Sequence, residues 1–342
     1  MRRSDWLSFL ALAAAAAGLA LIAVTNGPAV GEGQLVNVSY DPTRELYQLL
    51  NPIFVDAYEK ETGRHLTIVQ SHGGSSRQAR RIASGELKAD VATLGLYTDV
   101  DSLRKRGFLA ENWASRLPNH SSPYASTIVF VVRHGNPRHI RDWPDLLRSE
   151  LEIVVADPRS SAGGKLAALA AWAAVVKRGG SEAEARSYLR ELYRRAPSLA
   201  EGARGAATSF AEQERGDVQL TWENEAIRET AQSRGKLEIV YPPISILAEP
   251  TVAWLDNGAA SKSDLAAAKA YLAFLFSDAA QQRIAELGYR PLQPETARKV
   301  GVAFPNIDLV PITDIARDWN EANDRFFAEN GVIDDVIGGP GR

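Results

Sequence analysis

The feature that constrains this chain most is a glycine-containing turn, Gln70–Arg80, which joins an apolar run to a segment with helical spacing. The preceding run, His65–Val69, is rich in β-branched residues and predicts a buried strand. The following segment stops at Gly85, a helix C-terminal signal. A turn from a strand into a helix directs free backbone N–H groups and the positive end of the helix dipole toward one point. Anions bind at such points.

Further turns of this kind occur, although a single Gly-Ser turn is also common as a plain connection. In the first turn we expect Ser75 or Ser76 to be the helix N-cap. Asp41-Pro42 directly follows the predicted strand Leu35–Tyr40. We expect this aspartate to cap the next helix, with proline at its first position.

Two more turns follow the same pattern in the second half of the chain. Asp157–Gly164 follows the predicted strand Leu151–Ala156 and precedes an alanine-rich helix, and Glu201–Gly205 precedes a segment that ends at Gly216. Alternating strands and helices form parallel sheets with the ligand at the carboxyl ends of the strands. The sequence therefore predicts an α/β fold, and its 342 residues suit two lobes.

The composition excludes several classes of function. The net charge of -3 shows no basic excess for nucleic-acid binding. Without cysteine, the chain has no disulfide, no catalytic thiol and no cysteine-ligated metal. Its five histidines lack metal-ligand spacing, so we expect no metal site.

The N-terminal region has the composition of an export signal. Arg2 and Arg3 precede the apolar run Trp6–Val24. We predict that residues 1–29 are a cleaved signal peptide; the alternative is an uncleaved anchor, because the run is long for a signal and near the lower limit for a membrane span. In either case the remaining chain is expected in the periplasm.

The sequence supports a catalytic function less well than it supports anion binding. Ser75 lies three residues after His72, but no G-x-S-x-G motif is present and this spacing fixes no nucleophile–base geometry. Glu223 and Glu225 fall on alternate positions of the predicted strand Asp217–Glu225, where we expect ion-paired or solvated carboxylates rather than a catalytic pair.

The turns, their serine hydroxyls and the Trp222 indole N–H would together form a set of neutral donors. Such a set suits a fully deprotonated tetrahedral oxyanion, which offers only acceptors. The alternative is that the turns merely connect strands to helices and that Trp222 is a core residue.

Six motifs, in order along the chain, closely resemble those of the periplasmic sulfate-binding proteins of bacterial sulfate/thiosulfate ABC importers. They are Val38–Leu46, Gln70–Ser75, Ser126–Phe130, Gly202–Gly205, Trp222–Ala226 and Ile246–Val252. The resemblance extends from about Leu35 into the C-terminal tail.

This resemblance implies the two-lobed type II periplasmic binding protein fold, each lobe a mostly parallel sheet flanked by helices, with the ligand in the cleft between them. Lobe 1 would comprise residues 35–124 and 249–342, and lobe 2 residues 125–248. Backbone N–H groups would hold the anion, together with one hydroxyl and one indole N–H. The implied ligand residues are Asp41, Ser75, Ser161, Ala162, Gly163, Ala203 and Trp222, with the hydroxyl from Ser161.

Two positions depart from the family's pattern. Ala162-Gly163 stands where the family often has Gly-Gly, which would cause strain only if the alanine required a positive φ. Lys165 stands where an arginine is usual, and it keeps the charge without the bidentate reach.

The implied function is that of an exported solute-binding protein that captures sulfate, and also thiosulfate, and delivers it to an ABC transporter permease. The resemblance further implies a monomer without catalytic activity, cofactor or metal. Two alternatives remain open: binding of another tetrahedral oxyanion such as molybdate, or a membrane-anchored sulfate sensor.

Overall fold

The computed structural model describes residues 33–148, 150–257 and 262–338. The predicted leader, residues 1–29, lies outside the described residues. Within the described ranges, no helix is both long and apolar enough to cross a membrane.

The described strands form two larger sheets and two short pairs. In chain order they are β1 Gly33–Tyr40, β2 Leu66–Gly73, β3 Val91–Leu94, β4 Tyr124–Ala125, β5 Ile128–Arg133, β6 Ile153–Ala156, β7 Leu199–Ala200, β8 Val218–Trp222, β9 Leu237–Val240, β10 Ile244–Ile246, β11 Thr251–Trp254, β12 Arg290–Pro291 and β13 Asp308–Val310. The first larger sheet has the order β11-β3-β1-β2 and the second β7-β6-β8-β5-β9. The short pairs are β10 with β13 and β4 with β12.

The helices lie between these strands. They are α1 Arg44–Thr62, α2 Ser75–Ala83, α3 Tyr97–Arg104, α4 Ala162–Val176, α5 Glu182–Arg194, α6 Ala203–Ala207, α7 Glu223–Gln232, α8 Lys262–Phe274, α9 Asp278–Glu286, α10 Pro294–Lys299, α11 Trp319–Phe326 and α12 Val332–Ile337. Single turns occur at Asp41–Thr43, Trp113–Ser115, Pro118–Ser121, Trp143–Leu147 and Ile312–Asp314, and a π-helical turn at Thr208–Glu212.

The pairing in the first sheet places two helix starts side by side. β1 runs parallel to β2 and β3, and β11 joins β3 in the antiparallel direction. The register sets Tyr40, the last residue of β1, opposite Gly73, the last residue of β2. The segments that leave these two strands therefore begin next to each other.

The second sheet combines both directions. β6 is parallel to β7 and β8, whereas β5 is antiparallel to β8 and β9. The β-branched run of β5 is buried at every position except Arg133, as expected for a strand covered on both faces. The predicted α/β fold class, with sheets rich in parallel pairs, is confirmed.

Two helix starts differ from the sequence-based expectation. The N-cap of α2 is Gly74 rather than Ser75 or Ser76. Tyr40, and not Asp41, caps the helical turn that leads into α1, so Asp41 is the first residue of that turn. In both cases the helix begins directly where the strand ends.

The expected strand Asp217–Glu225 is also corrected, because α7 begins at Glu223. The carboxylates of Glu223 and Glu225 are buried, and neither is solvated. Glu223 accepts two hydrogen bonds from Arg290, at 2.6 and 2.9 Å, and Glu225 accepts from Arg228 at 3.0 Å. These carboxylates are therefore ion-paired inside the fold.

The chain crosses between the two sheets near Ser126 and Ala248, whose backbones form an antiparallel bridge. The C-terminal tail returns to the second sheet: residues 312–337 pack on α4 and α5, with Phe326 edge-on to Trp172 at 4.9 Å. Residues 312–337 were predicted to belong to lobe 1, yet they pack against helices of the second sheet. The lobe boundaries themselves stay a prediction.

A buried hydroxyl in the first sheet's core allows a stability test. Tyr271 donates to Asn51 Oδ1 at 2.7 Å and accepts from Asn37 Nδ2 at 3.1 Å. Tyr271→Phe leaves these buried groups unpaired, so we expect the free energy of unfolding in urea to fall by about 1–3 kcal/mol. Tyr97→Phe is the control, because its hydroxyl makes no hydrogen bond within the described residues; equal losses in both variants would contradict the assignment.

Candidate functional site

A small cavity lies where strands of both sheets end and four helical segments begin. Its empty space, including its opening to solvent, amounts to about 160 Å³. The structure brings all seven predicted ligand residues to it. The lining residues are Tyr40, Asp41, Pro42, Gly73, Gly74, Ser75, Ser161, Ala162, Gly163, Ala203 and Trp222.

The first sheet contributes two helix starts. Asp41 opens the turn before α1, and Ser75 is the first residue of α2. The N–H groups of first-turn residues have no acceptor within their own helix. Because β1 and β2 end side by side, both sets of N–H groups lie at the same edge of the cavity.

The hydroxyl of Ser75 is engaged within the protein. It donates to Asp99 Oδ2 at 2.6 Å and accepts from the Gly95 N–H at 2.9 Å. Ser76 donates to the other oxygen of Asp99 at 2.7 Å. The group of Ser75 that remains for a ligand is its backbone N–H, and the ligand role implied by the resemblance stays a prediction.

The second sheet contributes the start of α4. Ser161 is the N-cap of this helix, and its side chain makes no capping hydrogen bond. Ala162 and Gly163 are the first two helical residues, and Ala162 is not among the residues with positive φ. The strain considered for alanine at this position does not arise, and the dipole of α4 adds partial positive charge here.

Trp222 completes this side with a donor that has no partner. It is 1% exposed, and its Nε1 has no hydrogen-bond acceptor in the part of the chain that the structure describes. The indole packs on the Tyr40 ring with the ring centroids 5.3 Å apart. A Cβ on Gly163 would lie 2.6 Å from Nε1, so glycine leaves this N–H open to the cavity.

The fourth helix start is α6, which begins at Ala203 with Gly202 as its N-cap. A Cβ on Gly202 would overlap Asp41 Oδ2, so glycine permits this carboxylate to reach across from the first sheet. The other carboxylate oxygen accepts from Arg44 at 3.0 Å. The Asp41 carboxylate thus accepts a hydrogen bond from Arg44. It does not cap the helix, contrary to the prediction from the sequence.

The cavity is lined mainly by neutral groups. Among the described lining residues, Asp41 is the single charged one. Lys165 does not line the cavity; its Nζ lies 3.6 Å from Asp99 Oδ1, behind the first turn of α2. A cavity lined by N–H groups, the Ser161 hydroxyl and the Trp222 indole N–H suits an anion that presents acceptors on all sides.

Ser75 and His72 are not paired as a nucleophile and a base. The Ser75 hydroxyl bonds to Asp99 rather than to His72. Burial and the charge of Arg44 lower the pKa of His72 to about 4, so its ring is neutral at physiological pH. In residues 33–148, 150–257 and 262–338, no group of three or more His, Asp or Glu side chains is placed to hold a metal ion.

A larger cleft lies elsewhere on the second sheet, between Arg133 and Arg228. Arg133 donates to backbone carbonyls, including that of Phe210 at 3.0 Å. Arg228 is paired with Glu225. The side chains of Arg133 and Arg228 therefore already have partners within the protein, unlike the Trp222 indole N–H.

Sequence reasoning did not assign Asp99 or Gly95 to the site. Asp99 lies 24 residues from Ser75, on another helix, so no local spacing connects them. A Cβ on Gly95 would lie 2.6 Å from the Ala162 Cβ. The available signal was a glycine directly after a buried strand, which often marks a close approach of two backbones.

Comparison with known proteins identifies the class. Residues 43–290 match the family model of bacterial extracellular solute-binding proteins. The chain is 41% identical to the sulfate-binding protein of Salmonella typhimurium over 93% of its length and 97% of that protein. It is 42% identical to the thiosulfate-binding protein of Pseudomonas aeruginosa, over 94% and 96% of the two chains.

Among solved structures, the sulfate-binding protein SubI from Mycobacterium tuberculosis matches with a TM-score of 0.77 and 30% identity. The match covers 86% of this chain and 99% of SubI. The protein is thus a two-lobed extracellular solute-binding protein. Within that class it belongs to the family of sulfate- and thiosulfate-binding proteins.

The indole N–H of Trp222 can be tested directly, with sulfate as the probe. Trp222→Phe keeps most of the apolar surface and removes the donor, so we expect the binding free energy to weaken by about 1.5–3 kcal/mol, the value of a hydrogen bond to a charged group. Calorimetric titration measures the loss. Trp143→Phe is the control, because the Trp143 indole donates to the Ile244 carbonyl at 2.7 Å, away from the cavity. An unchanged dissociation constant in Trp222→Phe would make this residue a packing residue alone.

Proposed function

We propose that this chain is an exported binding protein that captures sulfate, and also thiosulfate, in the cavity and delivers it to the permease of an ABC transporter. It acts in the periplasm as a monomer and catalyses no reaction. The names of the relatives support the choice of anion, since they are sulfate- and thiosulfate-binding proteins.

The observation that carries the proposal is the chemistry of the donors. Trp222 Nε1 is a buried N–H without a partner among the described residues, and it faces the first residues of α4. Leaving such a donor unpaired costs about 1–3 kcal/mol. A ligand with acceptors on every side removes this cost at Trp222 and at the helix starts together.

Each predicted ligand residue has a role in this proposal. Backbone N–H groups donate from all the helix starts, Ser161 adds its hydroxyl, and Trp222 adds its indole N–H. The proposed ligand residues are Asp41, Ser75, Ser161, Ala162, Gly163, Ala203 and Trp222.

The same residues divide between two lobes. Asp41 and Ser75 follow strands of the first sheet, whereas Ser161, Ala203 and Trp222 belong to the second. We propose that the lobes, predicted as 35–124 with 249–342 and as 125–248, close around the anion by rotation at the connections near Ser126 and Ala248.

Titration of the chain without residues 1–29 against an oxyanion panel tests the proposal. Sulfate and thiosulfate are expected to saturate one site per chain, and molybdate to bind more weakly. If molybdate bound more tightly than sulfate, molybdate would be the ligand instead. Failure of every oxyanion to bind would reject the proposed function.

A second test concerns proton content. Between about pH 5 and pH 8 sulfate carries no proton, whereas inorganic phosphate keeps at least one. Neutral donors offer that proton no acceptor, and sites built on such matching discriminate by about 10⁴–10⁵. We therefore expect phosphate not to displace labelled sulfate at about pH 5.5 or about pH 8.

The Asp41 carboxylate is the control for this test, because it is the one anionic group at the cavity. Arg44 donates to one of its oxygens, and the other oxygen lies close to Gly202. If it instead accepted the phosphate proton, the unmodified protein would bind phosphate and Asp41→Asn would abolish that binding. Displacement of sulfate by comparable phosphate concentrations would contradict the donor-only site.

A further inference from the structure

A second pocket lies beside the connection between the two sheets, apart from the anion cavity. Its walls come from the segment 97–122, from Glu249 and Thr251 at the entry to β11, and from residues 312–320 of the C-terminal tail. Its empty space, including its opening to solvent, amounts to about 1140 Å³, and its described lining residues share no member with those of the anion cavity. The pocket therefore suits an organic molecule rather than a small inorganic ion.

The carboxylate of Glu249 is the unusual group of this pocket. The residue is half-buried, and its side chain forms no hydrogen bond and no salt bridge among the described residues. Burial raises the pKa of this carboxyl above its ordinary value, although a charge on His120 acts in the opposite direction. A carboxylate that is withdrawn from water without a partner is costly, and a cation placed beside it would remove that cost.

A buried hydroxyl next to Glu249 in the sequence also lacks a partner. Thr251 lines the pocket and is 4% exposed, and its Oγ1 has no hydrogen-bond partner in the described part of the chain. A hydroxyl and a carboxylate can both accept hydrogen bonds. Together they favour a ligand that carries N–H donors.

The other acidic and basic groups of the pocket do not supply the missing cation. Asp318 caps α11, where it accepts from the Glu321 N–H at 2.8 Å. The side chain of Arg317 is 80% exposed and lies 3.3 Å from Asp318. Glu249 is therefore left without a positively charged partner by its neighbours in the pocket.

Two aromatic rings line the same pocket. Tyr97 packs on Trp113 with the ring centroids 5.0 Å apart, and Trp319 packs against the core of the second sheet. Aromatic faces attract organic cations, whereas Glu249 would repel an anion. A carboxylate combined with aromatic rings is suited to an ammonium group on an organic body.

We propose that this pocket is a second ligand site, which takes a small organic cation bearing ammonium groups and binds it between Glu249, Thr251 and the rings of Tyr97 and Trp319. The inference goes beyond the proposed function and does not depend on it. The pocket presents acceptors, and is thus opposite in character to the anion cavity, which presents donors.

Three probes with the same four-carbon chain test the site by calorimetric titration: putrescine is a dication, 1,4-butanediol is neutral and succinate is a dianion. We expect putrescine alone to saturate one site per chain and to shift the NMR signal of the Trp319 indole N–H. In Glu249→Gln its affinity should fall about tenfold or more, because a hydrogen bond between charged groups is lost. In Trp319→Leu, which removes the ring but keeps apolar bulk, we expect a loss of about two- to fivefold.

Glu229→Gln is the matched control. The Glu229 carboxyl is also buried and has an unpartnered oxygen, but it lines the cleft near Arg228. This variant should bind putrescine as the unmodified protein does. Glu249→Gln removes an unpaired charge, so its unfolding temperature should not fall.

Three results would each overturn the proposed cation site: no binding of putrescine, equal binding of putrescine in Glu249→Gln, or tighter binding of succinate. None of them bears on the anion cavity. Failure of sulfate to bind would reject the proposed function and leave the cation site standing.

Discussion

The cavity depends on hydrogen-bond donors that come together from two sheets and have no acceptors among the described residues. Four helical segments from two sheets begin at one cavity, and the Trp222 N–H faces the same space. The partial positive charges of these helix starts repel one another, and each unpaired buried donor costs about 1–3 kcal/mol. An anion removes both costs at once. Under the proposed function, binding and closure would be one event, because the ligand would interact with both sides only when they are together.

Close approach of the two sides is made possible by glycines. A Cβ on Gly74 would lie 2.7 Å from the Ser160 carbonyl oxygen, and one on Gly202 would overlap the Asp41 carboxylate. Neither glycine has a positive φ, so their backbone angles do not require glycine. Their small size is needed for contact across the cavity. Larger residues here would clash with the opposite side of the cavity.

The sequence predicted the strand–turn–helix units well, because β-branched runs and glycine stops are local signals. It failed where distant groups decide the local structure. Serine is a common N-cap, yet Ser75 and Ser76 lie inside α2 because Asp99, on another helix, accepts from both hydroxyls. Glu223 continued an extended pattern in the sequence, and its buried pairing with Arg290 showed only in three dimensions. All seven candidate ligand residues could be located through family resemblance, whereas the turns alone left the ligand undecided.

The position of Lys165 shows what a lysine contributes where the family usually has an arginine. Both oxygens of Asp99 accept serine hydroxyls, at 2.6 and 2.7 Å, and each oxygen keeps further acceptor capacity. What the buried carboxylate still requires is compensation of its charge. Lys165 supplies it from 3.6 Å as a point charge, and its Nζ also lies 5.2 Å from the centre of the Phe327 ring. Lys165 thus lies beside the Asp99 carboxylate, Asp99 holds the first turn of α2 through both serine hydroxyls, and that turn places the Ser75 N–H at the edge of the cavity.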